Sequence, residues 1–204
     1  MRMRGFVLLI GAAALLAGGQ AGAAGDPAAG REKAAACAGC HGTDGNSMVP
    51  QFPKLAGQHA GYIVKQLKDF KEGRRKDPTM APMAGPLSEA DMADVAAFYS
   101  EQAVKPGKAD PAKVELGERV WRAGNEATGV PACAACHGPS GRGNPAAGFP
   151  ALAGQHAAYT VKQLKAFASG ARANDAGAMM RTLARKMSQA EMEAVASFIE
   201  GLRP

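Results

Sequence analysis

Aromatic residues are scarce: one Trp, three Tyr and seven Phe in a chain of 204 residues. That length suggests one or two domains. So few rings are a thin supply for their cores, and something other than side chains is expected to fill part of the interior. Long hydrophobic runs are missing as well. No apolar stretch reaches the roughly 20 residues of a spanning helix, which excludes a polytopic membrane protein. Gly and Pro are plentiful, at 26 and 13, but follow no period, so the chain is not collagen-like. The 47% apolar and 21% charged residues are interspersed along the chain, which excludes a wholly disordered polypeptide. Cysteine is limited to four residues.

Residues 1–23 read as an address rather than as structure. Arg2 and Arg4 open it, Phe6 to Ala17 form a short apolar stretch, and Ala21-Gly22-Ala23 fits a small-residue cleavage site. This is the pattern of a secretory signal peptide. Cleavage after Ala23 leaves a mature chain beginning Ala24-Gly25-Asp26. It retains 22 of the 24 basic residues against 18 acidic ones, a net charge of +4. Export implies an oxidising compartment, where two disulfides are the ordinary use of four cysteines. Their spacing argues otherwise.

The mature sequence is one unit written twice. The segment from Phe52 to Phe70 recurs from Phe149 to Phe167 with 15 of 19 positions identical. Cys37-Ala-Gly-Cys-His41 recurs as Cys133-Ala-Ala-Cys-His137, and the stretch from Ser88 to Phe98 recurs from Ser188 to Phe198. The offset drifts from 96 to 97 to 100, which places small insertions between elements. A period this long is too large for a solenoid. It indicates two tandem domains, 24–104 and 113–204, joined by a linker at 105–112 that contains Lys105-Pro106-Gly107 and Asp110-Pro111.

Each half gives helical signals and no alternating strand pattern. Ser88 and Ser188 each stand three residues before an acid, a capping box ahead of an apolar-periodic run. Met92, Val95, Ala96 and Phe98/Tyr99 mark the buried face of the first such helix, and Met192, Val195, Ala196 and Ile199 that of the second. Middle helices are predicted over 60–72 and 157–169, with Tyr62, Leu67 and Phe70 spaced for burial. First helices are predicted near 27–40 and 111–123. Gly30 and Gly117 within them would let the last helix of each unit cross closely. The fold class is all-α.

Cys-x-x-Cys-His occurs twice and uses every cysteine, the spacing of c-type heme attachment. On a helical turn, positions i, i+3 and i+4 share a face. Cys37 and Cys40, then Cys133 and Cys136, can each add to the two vinyl groups of one heme, while His41 and His137 project toward iron. A redox dithiol needs a βαβ context, which is absent. A zinc site with four cysteines leaves both histidines without a role. Two covalent hemes also supply the bulk that the scarce aromatics do not.

The repeat narrows the second axial ligand. Measured from the capping serines, Met80 and Met180 both lie at −8. Met83, Met179 and Met187 have no counterpart, and Met92 and Met192 fall on an apolar helix face suited to core packing. Met80 and Met180 are therefore the expected thioether ligands, with Met83 and Met179 as alternatives. His59 and His156 also repeat, at the start of each middle helix. They are expected to cap or to make a surface hydrogen bond rather than to bind iron. A carbonyl near Pro53 or Pro150 is expected to accept the ring N–H of His41 or His137.

Taken together, these motifs resemble the cytochrome c4 family of diheme cytochromes. The resemblance rests on the two Cys-x-x-Cys-His units, the Phe-Pro-x-Leu-Ala-Gly-Gln and Lys-Gln-Leu segments, and a Met eight residues before each capping serine, and it spans essentially the whole mature chain. It implies two cytochrome c-like helical domains, each wrapped around one covalent heme. It also implies axial ligation by His41 with Met80 and by His137 with Met180. The implied role is a periplasmic electron carrier between a respiratory donor complex and a terminal oxidase, with possible peripheral association with a membrane. Met179 beside Met180 departs from the pattern. The sequence shares its motifs with two alternatives, a heme subunit of a dehydrogenase complex and a diheme peroxidase-like enzyme. Matched methionines disfavour the peroxidase, which needs an open iron. No nucleic-acid-binding motif accompanies the basic charge and no small-molecule substrate is expected. That charge is uneven: residues 24–106 carry ten basic and ten acidic side chains, and residues 107–204 carry 12 and eight. An acidic partner is therefore expected to approach the second domain, near Arg181, Arg185 and Lys186.

Overall fold

The computed structural model describes residues 25–204, and the signal-peptide reading falls outside them. Among the described residues the regular structure is helical, apart from two isolated bridges, Asn125 with Val130 and Asn144 with Phe149. In the first unit α1 spans Pro27–Lys33, α2 Ala38–His41, α3 Ala60–Lys71, α4 Met80–Ala84 and α5 Glu89–Ser100. In the second, α6 spans Pro111–Arg122, α7 Ala134–His137, α8 Ala157–Ser169, α9 Met179–Ala184 and α10 Gln189–Gly201.

Each unit is framed by its first and last helices. Asp26 and Asp110 cap α1 and α6 through side-chain oxygens, with Pro27 and Pro111 at the first helical position, where a missing N–H costs nothing. The capping boxes at Ser88–Asp91 and Ser188–Glu191 form as read from sequence, each with reciprocal side-chain and backbone bonds. The first helix of the first unit is shorter than expected. It ends at Lys33, and the chain passes through a 3-10 turn at Ala34–Ala36 before α2. The three alanines there impose little rotamer cost on the tighter winding.

The crossings of α1 with α5 and α6 with α10 are close because of glycine. A Cβ on Gly30 would lie 2.0 Å from the carbonyl oxygen of Asp94, and one on Gly117 2.3 Å from that of Ala194. The apolar faces meet beneath. Met92, Val95, Ala96 and Tyr99 are sealed in the first unit, as are Val120, Trp121, Val195 and Ile199 in the second.

The units meet along a polar seam with local two-fold symmetry. Arg75 donates to Tyr159 Oη at 2.8 Å and Gln163 Oε1 at 3.0 Å. Arg172 donates to Tyr62 Oη at 2.9 Å and Gln66 Oε1 at 3.1 Å. Each guanidinium also lies over a ring of its own unit, Arg75 over Phe70 and Arg172 over Phe167. The connecting segment is pinned on both sides. Asn46 bonds Ala103 and Lys105, Gly107 N–H donates to Glu200 O, and Asp110 N–H to Ser197 Oγ.

The units also differ beside the seam. Between Arg172 and Met180 the second unit carries three residues more than the first has between Arg75 and Met80. Asn174 in this segment reaches Gln66 and Asp69 of the other unit. The chain then turns through left-handed backbone at Gly177 and Ala178, φ 56° and 55°. For Ala this conformation costs about 1–2 kcal/mol.

Gly117→Ala should destabilise the second unit by about 1–3 kcal/mol, the usual range for overpacking. Gly61→Ala, where nothing lies within 4 Å of the added carbon, should be neutral or stabilising. Denaturant midpoints of the holoprotein variants give both values.

Candidate functional site

The two heme motifs fold alike. Cys37 and Cys133 occupy the N-cap positions of α2 and α7, and the N–H groups of His41 and His137 each return to the cap carbonyl at 3.0 Å. One helical turn thus gathers both thiols and the imidazole on a single face. The turn ends at Gly42 and Gly138, with φ 80° and 77°. That backbone belongs to glycine and swings the chain away below the histidine.

The chain returns so that a proline carbonyl meets each ring. His41 Nδ1 donates to Pro53 O and His137 Nδ1 to Pro150 O, both at 2.9 Å. A carbonyl can only accept, so the proton sits on Nδ1 and the Nε2 lone pair is left free. Burial lowers the pKa of both histidines, against a smaller opposing effect of the proline carbonyl, and so favours the neutral form a metal ligand needs. Phe52 and Phe149 stand beside these rings, with centroids 6.4 and 6.2 Å away.

None of the four cysteines is paired in a disulfide. Burial pushes the thiol of Cys37 up and that of Cys133 up to about 11. Met80 packs against the first core, as does Cys37, and Met180 against the second, as do Cys133 and Ala134. Their neighbours face outward, Met83 39% and Met179 47% exposed. Met92, Met187 and Met192 are core residues.

These residues fit two c-type hemes: paired thiols, a neutral imidazole with its tautomer set, and a thioether on the same core. A further sign is Tyr99, fully buried, whose hydroxyl has no hydrogen-bond partner among the described residues. Burial, with the Cys37 thiol close by, raises its pKa. Such a donor calls for a polar group from outside the polypeptide.

Other residues lie elsewhere than expected. His156 is buried, with Nε2 donating to Ser47 O of the other unit at 2.8 Å and Nδ1 3.4 Å from Glu200. It caps no helix and makes no surface bond. His59 also leaves its helix uncapped, and its Nε2 is buried without a partner among the described residues. Arg181 is held by Asp175 at 2.7 Å, so Arg185 and Lys186 are the exposed cations of the patch. Gln58, Gln66, Arg75, Gln155, Gln163 and Arg172 form the seam as a group that the motifs of either unit do not announce. A signal was present: Tyr62/Gln66 and Tyr159/Gln163 repeat as identical polar pairs at i, i+4 on one helix face.

The Cytochrome c family profile matches residues 27–101 and again 114–203. The cytochrome c4 of Stutzerimonas stutzeri is 50% identical over 194 residues, covering 90% of this chain and 92% of that protein. A thiosulfate dehydrogenase electron acceptor of S. stutzeri strain A1501 is 43% identical, covering 81% and 78%. The crystal structure of reduced recombinant cytochrome c4 from Pseudomonas stutzeri superposes with a TM-score of 0.86 at 49% identity, covering 88% of this chain and all of that one. The chain belongs to the cytochrome c4 family. It is a diheme electron carrier rather than an enzyme, with two covalent c-type hemes bound through Cys37/Cys40 and Cys133/Cys136.

Replacing Cys133 and Cys136 together with Ala should leave one covalent heme per chain. Intact mass under denaturing conditions should then fall by one heme. Retention of both would overturn the attachment sites.

Proposed function

We propose that this member of the cytochrome c4 family carries electrons in the periplasm from a respiratory donor complex to a terminal oxidase. In this reading the iron ligands are His41 with Met80 and His137 with Met180, and the domains run 24–104 and 113–204 about a linker at 105–112. The observation that carries the ligand set is a coincidence of two independent criteria. Repeat position selects Met80 and Met180, and the same two methionines lie inward on cores shared with a heme-motif cysteine, while Met83 and Met179 face out.

When bound, heme supplies one-electron chemistry at an iron whose potential a thioether ligand raises. The chain's own residues do the rest. Cys37, Cys40, Cys133 and Cys136 fix the macrocycles. Pro53 and Pro150 hold the imidazoles in one tautomer and increase their basicity. Met80 and Met180 would each hold iron through a thioether and so leave no position for water or a small ligand. A closed site passes electrons without binding a substrate.

Export is supported by the basic, apolar and small-residue order of residues 1–23. No helix of the described residues is long and apolar enough to cross a membrane. Partner docking is assigned to the second domain, whose excess of cations includes the exposed Arg185 and Lys186. A second reading takes a dehydrogenase as the donor. It is favoured by the relative whose name describes an acceptor of electrons from thiosulfate dehydrogenase.

The optical spectrum of the oxidised holoprotein should show a sulfur-to-iron charge-transfer band accounting for both hemes, and carbon monoxide should leave the reduced spectrum unchanged. A high-spin ferric fraction or one heme that takes carbon monoxide would remove a methionine from the ligand set. Changing Arg185 and Lys186 to Gln should flatten the fall of the electron-delivery rate with rising salt. An unchanged salt slope would place docking elsewhere.

A further inference from the structure

The seam contains a second, more intimate exchange between the units. Gln155 Oε1 accepts the N–H of Lys54 at 2.9 Å, and its Nε2 donates to Lys54 O at 2.9 Å. Gln58 repeats this across the symmetry: its Oε1 accepts the N–H of Ala151 at 3.0 Å and its Nε2 donates to Ala151 O at 2.9 Å. Each glutamine is buried and held in place, with its Oε1 also accepting the N–H of the following histidine.

The significance lies in which peptide groups are grasped. The N–H of Lys54 and the C=O of Pro53 belong to one planar peptide unit. The same holds for Ala151 and Pro150. Those two carbonyls accept the Nδ1–H bonds of His41 and His137. Each motif histidine is therefore bonded to one end of a peptide group whose other end is bonded to a glutamine of the opposite unit. Hydrogen bonds in such a chain polarise one another. Accepting the N–H draws negative charge onto the carbonyl oxygen, which strengthens its hold on the imidazole and makes the ring a more basic ligand.

We propose that Gln58 and Gln155 are reciprocal positioning residues: each orients and polarises the peptide group that holds the other domain's proximal histidine, so each domain tunes its neighbour's heme. The inference rests on His41 and His137 as the proximal ligands. A role confined to packing would act on both hemes alike or on the nearer one. The proposed role acts across the seam.

The test uses the full diheme protein with Gln58→Met and Gln155→Met, and follows each heme's methyl signals by NMR through a redox titration. Gln58→Met should raise the potential of the second domain's heme and shift the first domain's heme less. Gln155→Met should give the mirror image. Exchange of the ring Nδ1–H should quicken at His137 in Gln58→Met and at His41 in Gln155→Met. A shift as large at the near heme as at the far one, or none at either, overturns the proposal. If one variant fails to assemble, the other alone decides, because the prediction is symmetrical. The wild-type spectra separate the underlying reading: iron-shifted ring signals from histidines other than His41 and His137 would reject the ligand set itself.

Discussion

The fold is organised around the bond between an imidazole N–H and a proline carbonyl. It occurs twice at the same length, and much of the local structure serves it. A free Nε2 facing the interior requires the proton on Nδ1, and an acceptor that cannot donate enforces that state. To bring the acceptor there, the chain must leave the heme-motif turn abruptly and come back beneath it. Gly42 and Gly138 provide the exit, and the carbonyls of Gly45 and Gly141 tie down the return through paired bonds to residues 55–56 and 152–153. The crossed terminal helices then brace this loop from behind.

The two units are joined by amides, phenols and guanidiniums rather than by an apolar face. Arg75 and Arg172 are both buried, yet at the seam they bond neutral oxygens of Gln, Tyr and Asn rather than carboxylates. Buried polar groups are costly when a partner is missing and specific when all are matched. A seam of this kind accepts one register. Sliding either unit by a single residue would strand several donors at once.

What was legible in the sequence follows from the range of the forces involved. The heme motif, the capping boxes and the helix-crossing glycines obey rules that act within a turn or two, and the repeat doubled each signal. The seam joins residues 84 to 110 positions apart, so no local rule reports it. Gln58 and Gln155 read as part of a loop motif, and Tyr62 as a core residue, because nothing in one unit alone says what its polar face meets. His156 escapes a local reading for the same reason, since its Nε2 meets Ser47 O of the other unit. The broken first helix of the first unit escaped because its alanines suit a 3-10 turn as well as an α-helix.

The segment from Ala173 to Met179 gives the duplication a handedness of purpose. Two identical redox sites facing each other across a true two-fold axis would be degenerate, and an electron would have no thermodynamic reason to rest on either. The extra residues remove that equality. They send Asn174 into the neighbouring unit and bring the chain to Met180 through a left-handed alanine, whereas the corresponding approach to Met80 is anchored by Asp77 without left-handed backbone. The loops that lead to Met80 and Met180 consequently differ in backbone conformation and in what they touch, so the two units do not offer equivalent surroundings.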